Sequence, residues 1–137
     1  MSAAFRQWRA ESHCKYLHGY SLEFEFEFGA DELDENNWVV DFGGLKELEI
    51  WLRSNFDHKT LVASDDPQFS EFELLKNNGI IDMVVVQSTG AEMFAKMAME
   101  YSNEMIQEKY GERCWVESVT VREHGANSAK CEKKISL

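Results

Sequence analysis

The sequence predicts an α+β fold in which helices interrupt an antiparallel sheet. Three observations lead there. Leu22, Phe24, Phe26 and Phe28 alternate with Glu23, Glu25 and Glu27, a period-2 pattern with one apolar and one acidic face. Leu45, Leu48, Leu52 and Phe56 recur at helical spacing, as do Phe94, Met97, Ala98, Tyr101 and Met105. Val116–Glu123 alternates again ahead of a Gly125-Ala126-Asn127 turn, which makes a closing hairpin.

The strand over 20–28 is apolar on one face only, which suits an antiparallel sheet better than a parallel one buried on both sides. Gly29 begins a turn, and 31–37 is an acidic loop. Trp38–Phe42 reads as a short strand or an extended entry into the next element, Gly43 and Gly44 punctuate, and a helix follows over 45–55. Residues 64–79 read as a loop with room for a short helix, and they hold the sole proline, Pro67. Ile80–Val86 is apolar and β-branched, hence a strand. Thr89 and Glu92 fit a capping box, with Thr89 as N-cap of a helix that Gly111 stops after Tyr110. The strand over 116–123 then pairs with a return strand over 128–135.

The 137 residues form a single domain, 1–137. Fourteen Lys and Arg against twenty-five Asp and Glu give a net charge of −11, which repels nucleic-acid phosphates and anionic membranes. No Lys/Arg cluster offsets it. Arg6, Arg9 and Glu11 occupy the stretch where a signal peptide would be apolar, and no run is long enough to span a bilayer. Cys14, Cys114 and Cys131 form no CxxC pair, so a reducing cytoplasm is expected rather than a disulfide scaffold.

Chemistry-bearing residues gather in three places. His13, Cys14 and His18 offer nitrogen and sulfur ligands for Zn²⁺; equally, Cys14 can serve as a thiolate, or the group can be a buried thiol beside a turn histidine. Asp57-His58 follows a helix and can form a carboxylate–imidazole pair that orients a proton carrier, or a helix-end pair facing the negative dipole. Glu123 ends a strand, where a carboxylate can take two parallel hydrogen bonds from an amidine-like edge such as that of pterin or guanine, or lie in solvent. Glu23, Glu25 and Glu27 read as a solvated outer face rather than a cation site.

Taken in order, these residues resemble the 6-pyruvoyltetrahydropterin synthase / 6-carboxytetrahydropterin synthase family over about Ser12 to Cys131. The family's C-x-x-x-H-G-H stands here as Cys14-Lys15-Tyr16-Leu17-His18-Gly19-Tyr20. Its V-x-D-F and L-K are matched by Val39-Val40-Asp41-Phe42 and Leu45-Lys46, and its L-D-H-x-x-L by Phe56-Asp57-His58-Lys59-Thr60-Leu61. Its T-x-E-N-L-A resembles Thr89-Gly90-Ala91-Glu92-Met93-Phe94-Ala95 with one extra residue, and its terminal V-x-E-T is Val121-Arg122-Glu123-His124.

The resemblance implies the tunnelling fold: an antiparallel four-stranded sheet with two helices on one face, oligomerising edge to edge into a barrel, with two rings stacked as a hexamer. It implies lyase chemistry on 7,8-dihydroneopterin triphosphate. Cys14 would be the proton-abstracting thiolate, Asp57 and His58 a second acid/base from a neighbouring subunit, Glu123 the pterin anchor and His18 a zinc ligand. Two departures stand out. Tyr20 replaces the second histidine of H-G-H, and Met1–Ser12 holds no histidine to supply the first-strand ligand. Either His13 substitutes, or the first strand and the metal site are lost.

Two functions follow: a pterin-forming lyase of a deazaguanine (queuosine-type) pathway, or a non-catalytic tunnelling-fold protein that binds a pterin or purine or serves in assembly.

Overall fold

The computed structural model describes residues 1–134. Within them the chain runs through β1 (Ser2–Phe5), β2 (His18–Ser21), β3 (Glu23–Ala30), α1 (Lys46–Phe56) and β4 (Lys59–Ala63). It continues through α2 (Phe69–Asn77), β5 (Met83–Val86), α3 (Ala91–Tyr110), β6 (Cys114–His124) and β7 (Asn127–Glu132). The α+β class stands, and of the two alternatives for the N-terminus the loss of a first strand is excluded, since one is present as β1.

The sheet differs in detail from the expected single four-stranded one. β1 and β2 pair antiparallel, and so do β3, β6 and β7, but the two groups belong to separate sheets ordered β2-β1-β4-β5 and β3-β6-β7. Leu22, 1% exposed, is the single residue between β2 and β3, so one strand path passes from sheet to sheet through a buried side chain. β4 and β5 add to β1 as parallel strands. A third helix, α2, fills the predicted loop.

Register explains why 20–28 alternates. Phe24 lies opposite Val121 and Phe26 opposite Val119, facing the core that α3 covers with Phe94, Ala95, Ala98 and Ile106. On the other face Glu23 and Glu25 oppose Arg122 and Thr120, and the Arg122 guanidinium sits 2.7 Å from Glu25 and 3.6 Å from Glu23. The acidic face is therefore a solvated lattice of cross-strand ion pairs, each worth little singly. At the far end of β3, Gly29 admits the Trp115 ring: a Cβ there would lie 2.6 Å from its indole nitrogen.

Other expectations shift for local reasons. Trp38–Phe42 is not a strand. Its backbone groups are taken by side chains, with the Arg113 guanidinium donating to the Val39 carbonyl (3.0 Å) and the Tyr110 hydroxyl accepting from the Asp41 N–H (3.1 Å). The predicted strand over 80–86 narrows to β5, and Ile80 lies exposed before it. β4 was not foreseen, because a short strand buried along Thr60–Ala63 shows no alternation. The capping box does not form: α3 begins at Ala91 behind Gly90, and the Thr89 hydroxyl donates instead to the Arg6 carbonyl at 2.6 Å. The return strand is β7, and Ile135 lies outside the described residues.

Candidate functional site

β1 delivers the chain from the core to a tightly fastened corner. Arg6 donates from Nε and Nη2 to the two carboxylate oxygens of Asp66, at 2.8 and 2.5 Å, and Nη2 also donates to Gln68 (2.9 Å). The Asp66 side chain is only 2% exposed, and the bond from Arg6 holds its carboxyl below the usual range despite burial. Trp8 and Arg9 both donate to Asp65, at 3.1 and 3.0 Å. The Gln7 N–H then donates to the carbonyl of Cys14 at 2.8 Å, which sets the position of the thiol-bearing turn.

Cys14 lies half-buried in a single 3₁₀ turn, His13–Lys15, whose N-cap Ser12 accepts the Cys14 N–H through its hydroxyl. His18 opens β2, with its Nδ1 2.7 Å from the Tyr16 carbonyl; Nδ1 therefore carries the proton and Nε2 is left as the free nitrogen. Tyr20 stacks on Phe5, centroids 4.2 Å apart and planes 15° from parallel. Burial first, then the nearby Glu123 and Cys14, push its phenol up and keep it protonated.

Glu123, at the end of β6, lines a polar pocket of about 450 Å³ with Gln7, Glu92, Asn127 and Ser128. Burial raises its pKa and the charge of Glu92 adds to this; His124 and the Ala91 N–H oppose them without prevailing. Cys14 and Glu123 are linked through Gln7, whose backbone N–H bonds to the Cys14 carbonyl and whose side chain lines the Glu123 pocket.

Asp57 and His58 lie elsewhere. Asp57 Oδ1 is 3.1 Å from His58 Nδ1 and accepts the Ser2 N–H at 3.2 Å, while Oδ2 accepts from Arg53 at 3.1 Å. Desolvation works against ionisation of Asp57, but the Ser2 N–H, His58 and Arg53 together hold its carboxyl below the usual range. His58 adopts φ +61°, and its ring is 82% exposed. The pair stands at the Ser2 end of β1, whereas Cys14 bonds to Gln7 beyond the other end. At ~3.3 Å per residue, roughly 16 Å of chain separates them. One copy does not bring the dyad to the thiol.

The residues present do not fit a zinc centre. Phe5, 1% exposed, is the first-strand residue paired with His18, and its ring stacks on Tyr20, where the family's H-G-H would place an imidazole. A phenol held in its protonated form is a poor ligand. His13 and His18 do lie edge to face with ring centroids 5.9 Å apart, but two imidazoles fall short of a structural or catalytic set. Among the described residues, no group of three or more His, Cys, Asp or Glu can hold a metal ion.

Sequence reading overlooked Gln7, because a neutral amide in a polar segment carries no signal. It read Glu92 as a cap rather than a pocket wall; the glycine directly before the helix was the available clue.

A mixed fold with helices over antiparallel strands, and a polar pocket lined by Gln7 and Glu123, defines a tunnelling-fold protein. The chain belongs to the family described as 6-pyruvoyl tetrahydropterin synthase, whose sequence pattern matches residues 1–134. A 6-carboxy-5,6,7,8-tetrahydropterin synthase of Rickettsia conorii is 32% identical over 62 residues, covering 44% of this chain and 45% of that protein. The match thus spans less than half of that relative. An uncharacterised protein from Wolinella succinogenes superposes with a TM-score of 0.84 at 20% identity, covering 97% of this chain and 93% of that one. A 6-pyruvoyltetrahydropterin synthase variant from Plasmodium vivax gives 0.71 at 18% identity, covering 98% and 91%. These two structures share the fold. No described helix is long and apolar enough to cross a membrane.

Proposed function

We propose that the protein is a pterin-forming lyase of the 6-carboxytetrahydropterin synthase kind. Its substrate would be 7,8-dihydroneopterin triphosphate, in a deazaguanine (queuosine-type) pathway. One observation carries this reading: Gln7 bonds through its backbone to Cys14 and lines the Glu123 pocket with its side chain. The segment that carries Cys14 is thereby tied to the wall of a pocket whose carboxylate can grip an amidine edge. Glu123 anchors the ring through its N3–H and 2-amino group. Cys14, as thiolate, takes a carbon-bound proton from the ring's side chain. Asp57 and His58 supply the second acid/base from a neighbouring copy, which makes the working form a homo-oligomer, a hexamer by family. Three free cysteines among the described residues suit a reducing cytoplasm. No step is assigned to zinc.

The test is incubation with 7,8-dihydroneopterin triphosphate without added metal, assaying acetaldehyde and 6-carboxytetrahydropterin. Cys14→Ala is expected to lose on the order of 10²–10⁴ in turnover while keeping ligand affinity. Absence of turnover by the unaltered protein, with or without zinc, overturns the reading. The aromatic pair Phe5–Tyr20 favours a second reading, a binding protein for a pterin or purine that turns nothing over. Under that reading the same experiment gives binding, no product and no effect of Cys14→Ala.

A further inference from the structure

Gln7 has a side chain whose placement the fold does not require. Its N–H donates to Cys14 and its carbonyl accepts from the Ala10 N–H at 3.0 Å, both through backbone atoms. Its neighbour Arg6 already fastens the segment to Asp66. The carboxamide is nevertheless provided for. Gly90 stands against it at φ +120°, and a Cβ there would come within 2.5 Å of Gln7 Nε2. Backbone conformation demands glycine, and the space its missing β-carbon leaves is filled by the amide. Among the described residues the carboxamide has no hydrogen-bond partner, and it lines the same pocket as Glu123 and Glu92.

A 2-amino-4-oxopyrimidine ring presents three groups in a row along one edge: the 2-amino donor, the N3–H donor and the O4 acceptor. A carboxylate reads the first two. The third needs a donor, which neither Glu123 nor Glu92 supplies when ionised. Of the lining side chains that can donate, Asn127 already has its Nδ2 3.1 Å from His124 Nε2 and Ser128 is an exposed hydroxyl, which leaves the unpartnered amide of Gln7. We propose that the Gln7 carboxamide donates to O4 of the ring that Glu123 anchors, making Gln7 a specificity residue for the 4-oxo group. The inference rests on the Glu123 anchoring proposed above. It also gives Gly90 a role, as the notch that holds the amide in place.

The test compares binding of pterin and 4-thiopterin, which share the 2-amino and N3–H donors but differ in acceptor strength at position 4. The unaltered protein is expected to prefer pterin. Gln7→Met should weaken pterin binding on the order of 5–10-fold, the worth of one neutral hydrogen bond, and leave 4-thiopterin unchanged. Gln7→Asn, one methylene short, and Gly90→Ala, which evicts the amide, should each collapse the preference in the same way. Glu123→Gln should weaken both ligands alike. If the preference survives Gln7→Met and Gln7→Asn while Glu123→Gln still weakens both ligands, the role of Gln7 is overturned and the anchoring stands. If the unaltered protein binds neither ligand, or Glu123→Gln changes neither, the anchoring reading falls and takes this one with it.

Discussion

The two ends of β1 are built on opposite terms. Past Phe5 the chain is held by a nearly buried Arg6–Asp66 pair, a backbone bond to Cys14 and a hydroxyl from Thr89, and Gln7 reaches an open polar pocket with Glu123. At Ser2 the Asp57–His58 pair is exposed, and its histidine sits in a left-handed conformation that a β-carbon resists. The first end offers a partly buried carboxylate with a raised pKa and a hydrogen-bonded turn that carries Cys14. The second has what proton transfer needs but nothing to act on. Under the function proposed above, the first end binds and the second is completed by a neighbouring copy; the backbone strain lies at the second, in His58.

Breaking the fastened end should have the largest effect. Arg6→Ala leaves the Asp66 carboxylate buried without a counter-charge and should cost about 3 kcal/mol in urea unfolding. The Asp66 pKa is lowered in the fold, so the pair's contribution is present above the ordinary aspartate range and is lost as pH falls through the lowered value. A loss confined to that pH window, absent from Arg6→Ala, is the expected signature; an unchanged unfolding midpoint would show that the corner is not held by this pair.

At the other end the sign reverses. His58→Gly removes the β-carbon from a φ of +61° and should raise stability by about 1 kcal/mol, visible as a higher urea midpoint. The same variant should lose turnover, since the imidazole is gone. A destabilised His58→Gly would mean that the exposed ring contributes contacts, and the contrast between the two ends would fail.

The smallest effect sharpens the pocket itself. Burial and Glu92 raise the Glu123 pKa, and binding an amidine edge requires the ionised carboxylate. Pterin affinity should therefore fall as pH drops through a value above that of an ordinary glutamate. Removing a negative neighbour lowers that value, so Glu92→Gln should move the acid limb to lower pH in a fluorescence titration. A limb that stays in place would remove Glu92 from the pocket's electrostatics.

The comparison also shows which features were legible in the chain. Period-2 alternation in 22–28 and the stripes of α1 and α3 reported their own burial, because one-sided burial leaves a mark at 2.0 or 3.6 residues. β4 left no such mark, being buried along nearly its whole length, and β1 was overlooked because Ser2–Phe5 carries only four residues of pattern. Cys14, Asp57, His58 and Glu123 were recognisable as reactive types in a familiar order. That Gln7 ties the Cys14 turn to the Glu123 pocket, that Asp57 and His58 lie at the other end of β1, and that Phe5 and Tyr20 stack beside His18 are matters of strand register and loop anchoring. The sequence by itself determined the fold class, the charge and the chemistry on offer, since these depend on residue type and local periodicity. Only the tertiary structure decided which groups share a site, because the approach of residues more than a hundred positions apart, such as Gln7 and Glu123 in one pocket, is set by packing and leaves no local trace.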